Sequence, residues 1–315
     1  MKHIGIFSSI LLAISIGPSA SRADDPIFID WSSLLPSLVD TFVPNSANDC
    51  VAGRPHCVDA VIQEMERRFK PLGQACDHDA IFALAYLRTT QTFQWANDQP
   101  GYFADAAWLN HYDAVFAKYY LRAFDAYAAG NRSAVPEAWL IAFDAAANRQ
   151  VTGSGSLLLG MNAHVNRDLP LVLAAIGPVA PNGASRKPDH DKVNQFLNLV
   201  TDPLLLEAAA RFDPSASSVV TPFGVGTTAL FQTLVAWRET AWRQAERIVS
   251  ALTSIDRSLI VSEIEITAAA EATALMAANA YVPPVTTSAL RDAFCAANNG
   301  ATAPEAYAFG TPDPY

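Results

Sequence analysis

The chain has 315 residues, is 51% hydrophobic, and carries 31 acidic against 21 basic residues for a net charge of −10. That balance, without clustered Lys or Arg, excludes non-specific binding to nucleic acid or to an anionic membrane, both of which need a basic patch. The apolar content supplies a sizeable core, and a prior of roughly 100–200 residues per domain allows one large or two small domains.

Residues 1–23 read as a signal peptide. Lys2 and His3 precede an apolar run over 4–16, Gly17 and Pro18 break it, and Ser21 and Ala23 meet the small-residue rule for cleavage. The apolar run is shorter than the roughly 20 residues of a membrane span, and no later stretch is long and uncharged enough to be one. The expectation is an exported protein, periplasmic or secreted, with no membrane span and a mature end at Asp24.

Cys50, Cys57, Cys76 and Cys295 follow. An even count in an exported chain points to disulfides with three possible connectivities, and no CxxC spacing suggests a zinc knuckle. A bridge Cys50–Cys57 across the loop with Gly53 and Pro55 is favoured, which leaves Cys76 for Cys295.

Helical periodicity then runs almost throughout, over 58–69, 79–95, 103–129, 135–148, 155–176, 190–200, 225–254, 257–280 and 286–297. Gly130 stops the third helix, Ser133 and Pro136 start the fourth, and Gly177-Pro178 closes the fifth. "GSGS" at 153–156 is a turn into that helix, since no Lys or preceding strand supports phosphate binding. "GPVAPNGASRKPD" and "DPSASSVVTPFGVG" are loops, and the tail 301–315 is expected to be loop or poorly ordered. The predicted fold is all-α, a single-domain multi-helix bundle of about nine helices over 24–300.

The fifth helix raises the functional question, because "LLLGMNAHVNRDLP" is apolar yet dense in polar groups. At 100° per residue, Leu157, Leu158, Met161, Val165, Leu169 and Val172 form one arc. His164 and Asp168 lie on one shoulder, Asn162 and Asn166 on the other, and only Arg167 points away. Elsewhere Asp79, Tyr86 and Thr90 share a face with Phe82 and Phe93, and Asp113 borders the stripe from Trp108 to Tyr120. Arg238 falls amid Phe231, Leu234, Val235, Ala241 and Trp242. A buried Arg needs an acidic partner or an anionic ligand.

"GMNAHVNRDLP" resembles the central motif of a bacterial family catalogued only as domain of unknown function 5995. "YLRTTQTF", "NHYDAVFAKYYLRAFDAYAAG", "VPEAWLIAF", "DHDKVN" and "WRETAWRQAE" match in order, from about 80 to 250. By position the resemblance implies roles for Tyr86, Asp113, Asn162, His164, Asn166, Asp168, Asp189, Asn194, Arg238 and Trp242. His190 stands where the family carries an aromatic residue. The family brings no activity. "HVNRDLP" alone is similar to the helical zinc phospholipase C and P1 nuclease group, whose His-x3-Asp ligates zinc. That group also uses several more histidines and an N-terminal Trp amine, whereas this chain has six His in all.

His164 and Asp168, one turn apart, suit a divalent transition metal such as zinc, iron or manganese, with Asp189 as a loop-borne third ligand. The structural alternatives are that Asp168 braces His164 and that Asp189 is an N-cap. His111 is expected to be solvated, and His78 to cap rather than ligate. Trp108, Trp237, Trp242 and the helical tyrosines read as core. No GxSxG, P-loop, HExxH, dinucleotide or di-iron motif is present.

Two functional expectations follow. One is a metal-dependent hydrolase or lyase acting on a small anionic or lipid-like substrate. There His164 would be ligand or base, Asp168 co-ligand or orienter, and Arg238 the anion holder. Asn162, Asn166, Asp113 and Tyr86 would complete the site. The other is a non-catalytic protein that binds a small ligand in the same polar cluster, or uses the cluster as a structural network.

Overall fold

In a computed structural model, residues 41–221 and 224–315 are described. The expected signal segment 1–23 lies outside them. Among the described residues nine helices follow one another: α1 (Pro55–Gln74), α2 (Ala80–Asn97), α3 (Ala106–Ala128), α4 (Glu137–Ala147), α5, α6 (Lys187–Arg211), α7 (Thr227–Ser250), α8 (Ser254–Ala278) and α9 (Ser288–Asn298). α5 is continuous but not uniform. It runs as α-helix over Gly153–Asn162, widens into π-helix over Ala163–Asp168, and returns to α-helix over Leu169–Ile176. Extended pairing among the described residues is slight, with Val220–Thr221 opposite Gly224–Val225 and three isolated bridges. The protein is an all-α, single-domain bundle.

α5 is the axis of the bundle and packs against α2, α3, α4, α7 and α8. Its sequence explains why: a helix with apolar residues around most of its circumference has no continuous polar face to offer water and must be enclosed. Close approach is possible because a Cβ on Gly160 would collide with the Phe82 ring of α2, so only glycine is accommodated there. Thr152 caps the start through its side chain, and Gly177, at φ 86°, ends the helix. Among the described residues no helix is long and apolar enough to cross a membrane.

Three local features differ from expectation. α6 does not stop near 200 but continues through Pro203 to Arg211. A mid-helix proline costs about 3 kcal/mol. Here it is offset by burial of Leu204, Leu205 and Ala208 and by a buried ion cluster further along the same helix. His111 is fully buried rather than solvated, with Nδ1 2.8 Å from the Cys50 carbonyl oxygen. The outer face of α3 is covered by the segment that holds the first disulfide. The tail 301–315 is non-helical but packed. Tyr307 is buried and donates to Glu207 (2.6 Å), which also receives Arg88 and Arg211, while Tyr315 stacks on Phe69.

Both disulfides have the favoured pairing. Cys50–Cys57 closes a short loop, and Cys76–Cys295 joins residues 219 apart. His78 hydrogen-bonds Asp292 of α9 at 3.0 Å beside the second bridge.

Candidate functional site

The π-helical turn sets the geometry around His164. Asp168 is fully buried and takes three partners: the Trp139 indole N–H (2.9 Å), His164 Nδ1 (3.1 Å) and the Arg167 guanidinium (2.8 Å). Arg167 therefore does not point away. It bridges Asp168 to Glu265 on α8. The imidazole lies flat on Phe116, with ring centres 3.5 Å apart, and edge-on to Tyr86 at 4.5 Å. Phe82, Tyr120 and Trp139 complete an aromatic enclosure. Burial pushes the His164 pKa down, against the opposing pull of Asp168.

His164 and Tyr86 line a cavity of about 100 Å³ enclosed by α2, α3, α5, α6 and α7. Apolar side chains, among them Phe82, Leu157, Leu204 and Leu230, make up most of its wall, and Met161 and Leu234 are half-buried at its edge. A second chamber of about 70 Å³ shares Tyr86, Thr89, Phe116 and Leu197 with the first and adds Asp113 and Tyr112. Three buried polar atoms around these chambers have no hydrogen-bond partner: His164 Nε2, Tyr86 Oη and Asp113 Oδ2. Such orphans are rare in native interiors. Desolvation raises the Asp113 pKa to about 8 and, with Asp113 nearby, lifts Tyr86 well above its ordinary value.

The other expected residues lie elsewhere. Asn166 donates to Asn162 (2.9 Å) and to Glu271 (3.0 Å), and Asn162 donates to the Ala268 carbonyl (2.8 Å). The two asparagines clasp α8 and do not line either chamber. Arg238 donates to Asn194 (2.8 Å) and to the His190 carbonyl (2.5 Å). It has neither the carboxylate partner nor the cavity position that its place on the helix suggested. It acts on the second chamber through Tyr112, whose pKa burial lifts to about 12 while Arg238 opposes the shift. His190 is packed between Tyr112 and Trp242.

The metal expectation is corrected. Among the described residues no group of three or more His, Cys, Asp or Glu could hold a metal ion. The reason lies in the ligands. Asp168 already has both oxygens engaged, and both oxygens of Asp189 accept from the Ala104 and Asp105 backbone N–H groups at 2.9 and 2.7 Å. Asp189 is thus a cap, though for the start of α3 rather than for its own helix. The zinc, iron or manganese site built on His164, Asp168 and Asp189 is not formed.

Trp139, Phe116 and Glu265 were not singled out from the sequence. Trp139 and Phe116 look like ordinary core aromatics, and only the fold brings the indole N–H of one to Asp168 and the face of the other to His164. A signal for Trp139 did exist, since a buried indole N–H needs an acceptor.

The fold and cavity define a class: an all-α bundle with a buried network of Arg, Asp, Glu, His and Asn around an apolar hollow. The model of the Family of unknown function (DUF5995) matches residues 58–278, and the chain belongs to that family. No curated protein and no solved structure matches it.

Proposed function

We propose that this is a binding protein for a small, uncharged, largely apolar molecule held in the cavity beside His164. One observation carries the reading. Buried Nε2 of His164 and Oη of Tyr86, both without partners, belong to residues lining a single apolar cavity. A few polar groups converging in an otherwise apolar hollow is the usual form of a small-molecule site. A neutral ligand is favoured because no Lys or Arg lines either chamber. The two chambers, about 100 and 70 Å³, together exceed the roughly 150 Å³ at which an apolar cavity takes up benzene.

Toluene titrated into the protein, followed by NMR of the methyl groups of Leu157 and Leu230, tests this. Saturable shifts are expected at those residues, and Leu234→Phe, which adds a ring at the cavity edge, should weaken them. Absence of saturable binding by toluene or phenol overturns the reading.

The second reading is catalytic and metal-free. The Asp168–His164 pair, with Nε2 unpaired, has the arrangement of a general base and its orienting carboxylate. It predicts hydrolysis of small neutral esters, lost in His164→Asn while toluene binding survives. No turnover by the wild-type protein rejects it. The two disulfides and the leader-like residues 1–23 support export to an oxidising compartment. Retention in the cytosol with four free thiols would oppose that assignment.

A further inference from the structure

The polar group of the ligand can be specified from the hydrogen balance of His164. Nδ1 lies 3.1 Å from Asp168 Oδ2, and that carboxyl group also accepts the Arg167 guanidinium and the Trp139 N–H. A group receiving two such donors is a carboxylate, which offers Nδ1 only lone pairs. Nδ1 therefore holds the imidazole hydrogen and Nε2 a lone pair. His164 is 3% exposed, and Nε2 is sealed from solvent without a donor. Tyr86 Oη, on the same cavity wall, is likewise unpaired, whereas Thr201 has given its hydrogen to the Leu197 carbonyl. Arg238 is engaged by Asn194 and the His190 carbonyl, so an anionic head would meet no counter-charge in either chamber.

We infer that the cavity selects a hydroxyl-bearing ligand, a phenol or a small alcohol, whose O–H donates to His164 Nε2 and whose oxygen accepts from Tyr86 Oη. This rests on the ligand-binding reading above and adds the chemistry and orientation of the bound group. A hydroxyl satisfies an acceptor and a donor at once. A ketone or ether would leave Nε2 unmatched, and a hydrocarbon would leave both atoms unmatched, which for polar atoms shielded from water weakens binding.

Phenol and toluene, nearly equal in size, are the probes. In nitrogen-15 spectra of the full protein, Nε2 of His164 should show the shift of a bare, pyridine-type nitrogen. Phenol should move it toward the hydrogen-bonded value, and toluene should not. The preference for phenol over toluene should fall about tenfold in His164→Leu and several-fold in Tyr86→Phe, the scale of one buried hydrogen bond. Tyr86→Phe removes a single oxygen and keeps the test valid should His164→Leu not fold. If neither probe binds, the ligand-binding reading falls and takes this inference with it. If both bind but the preference is unchanged in the variants, or if Nε2 proves to hold the hydrogen, the hydroxyl assignment alone is wrong.

Discussion

Asp168 has three donors and is fully buried, so its removal strands the Trp139 indole N–H and His164 Nδ1 and leaves Arg167 with Glu265 alone. Asp168→Ala should destabilise the protein by about 3–5 kcal/mol, the range for breaking a buried charge pair by deleting one partner. A urea-unfolding midpoint close to wild type would contradict this. Asp113 behaves in the opposite way. Its pKa is raised by burial to about 8, above its unfolded value near 4, so the folded state keeps a proton that the unfolded state releases. The contribution of Asp113 is therefore complete below pH 4 and is lost as pH rises toward 8. Asp113→Asn removes that loss. The variant should melt close to wild type at pH 4 and several degrees higher at pH 8, and a difference that does not grow with pH would refute it. The polarity of these residues and their inward direction were legible from helical spacing. Their partners were not, because Trp139 lies 29 residues from Asp168 in sequence, and only the packing of α4 on α5 brings them together.

Helices were legible wherever 3.6-residue periodicity held, and the reading failed where a helix departs from that period or endures a penalty. Along the π-helical turn the 100° step no longer applies, so Arg167 reads as outward and Asn166 as facing a site that it does not share. The periodicity supports α6 only to about residue 200, whereas the buried residues beyond Pro203 are held by distant parts of the fold. The contact of α5 with α2 gives a test at this scale. Gly→Ala inside a helix gains about 1 kcal/mol from propensity, but at Gly160 the new methyl would strike the Phe82 ring. Overpacking of that kind costs about 1–3 kcal/mol, so Gly160→Ala should lose stability on balance. Phe82→Ala is itself destabilising, but in a double-mutant cycle the added cost of Gly160→Ala should be smaller in the Phe82→Ala background than in wild type. A thermal melt showing Gly160→Ala to be stabilising would mean that the two helices separate freely.

Across the whole molecule the strongest constraint is covalent. Cys76–Cys295 closes a loop of 219 residues, which in the chain-entropy account is worth about 5 kcal/mol. Cys295→Ala should therefore unfold at markedly lower denaturant than the protein lacking only Cys50–Cys57, and equal midpoints would refute the entropic ranking. Composition and an even cysteine count announced a bridged helical domain. The packed tail was not announced, since its short run rich in Ala and Pro has no period, and its anchor is an ion cluster on two helices remote in sequence.

The order in which these parts are synthesised has a consequence for how the protein matures. Arg88, Glu207 and Arg211 are buried together, yet Tyr307 and the carbonyls of Asp313 and Pro314, which complete their hydrogen bonding, come later in the chain than all three. Cys76 likewise waits 219 residues for Cys295. While the chain is being made, the early helices can collapse, but their most highly charged interior contact stays unfinished and one thiol stays unmatched. The hydrogen bonding of this buried cluster is thus completed only after translation has passed residue 314.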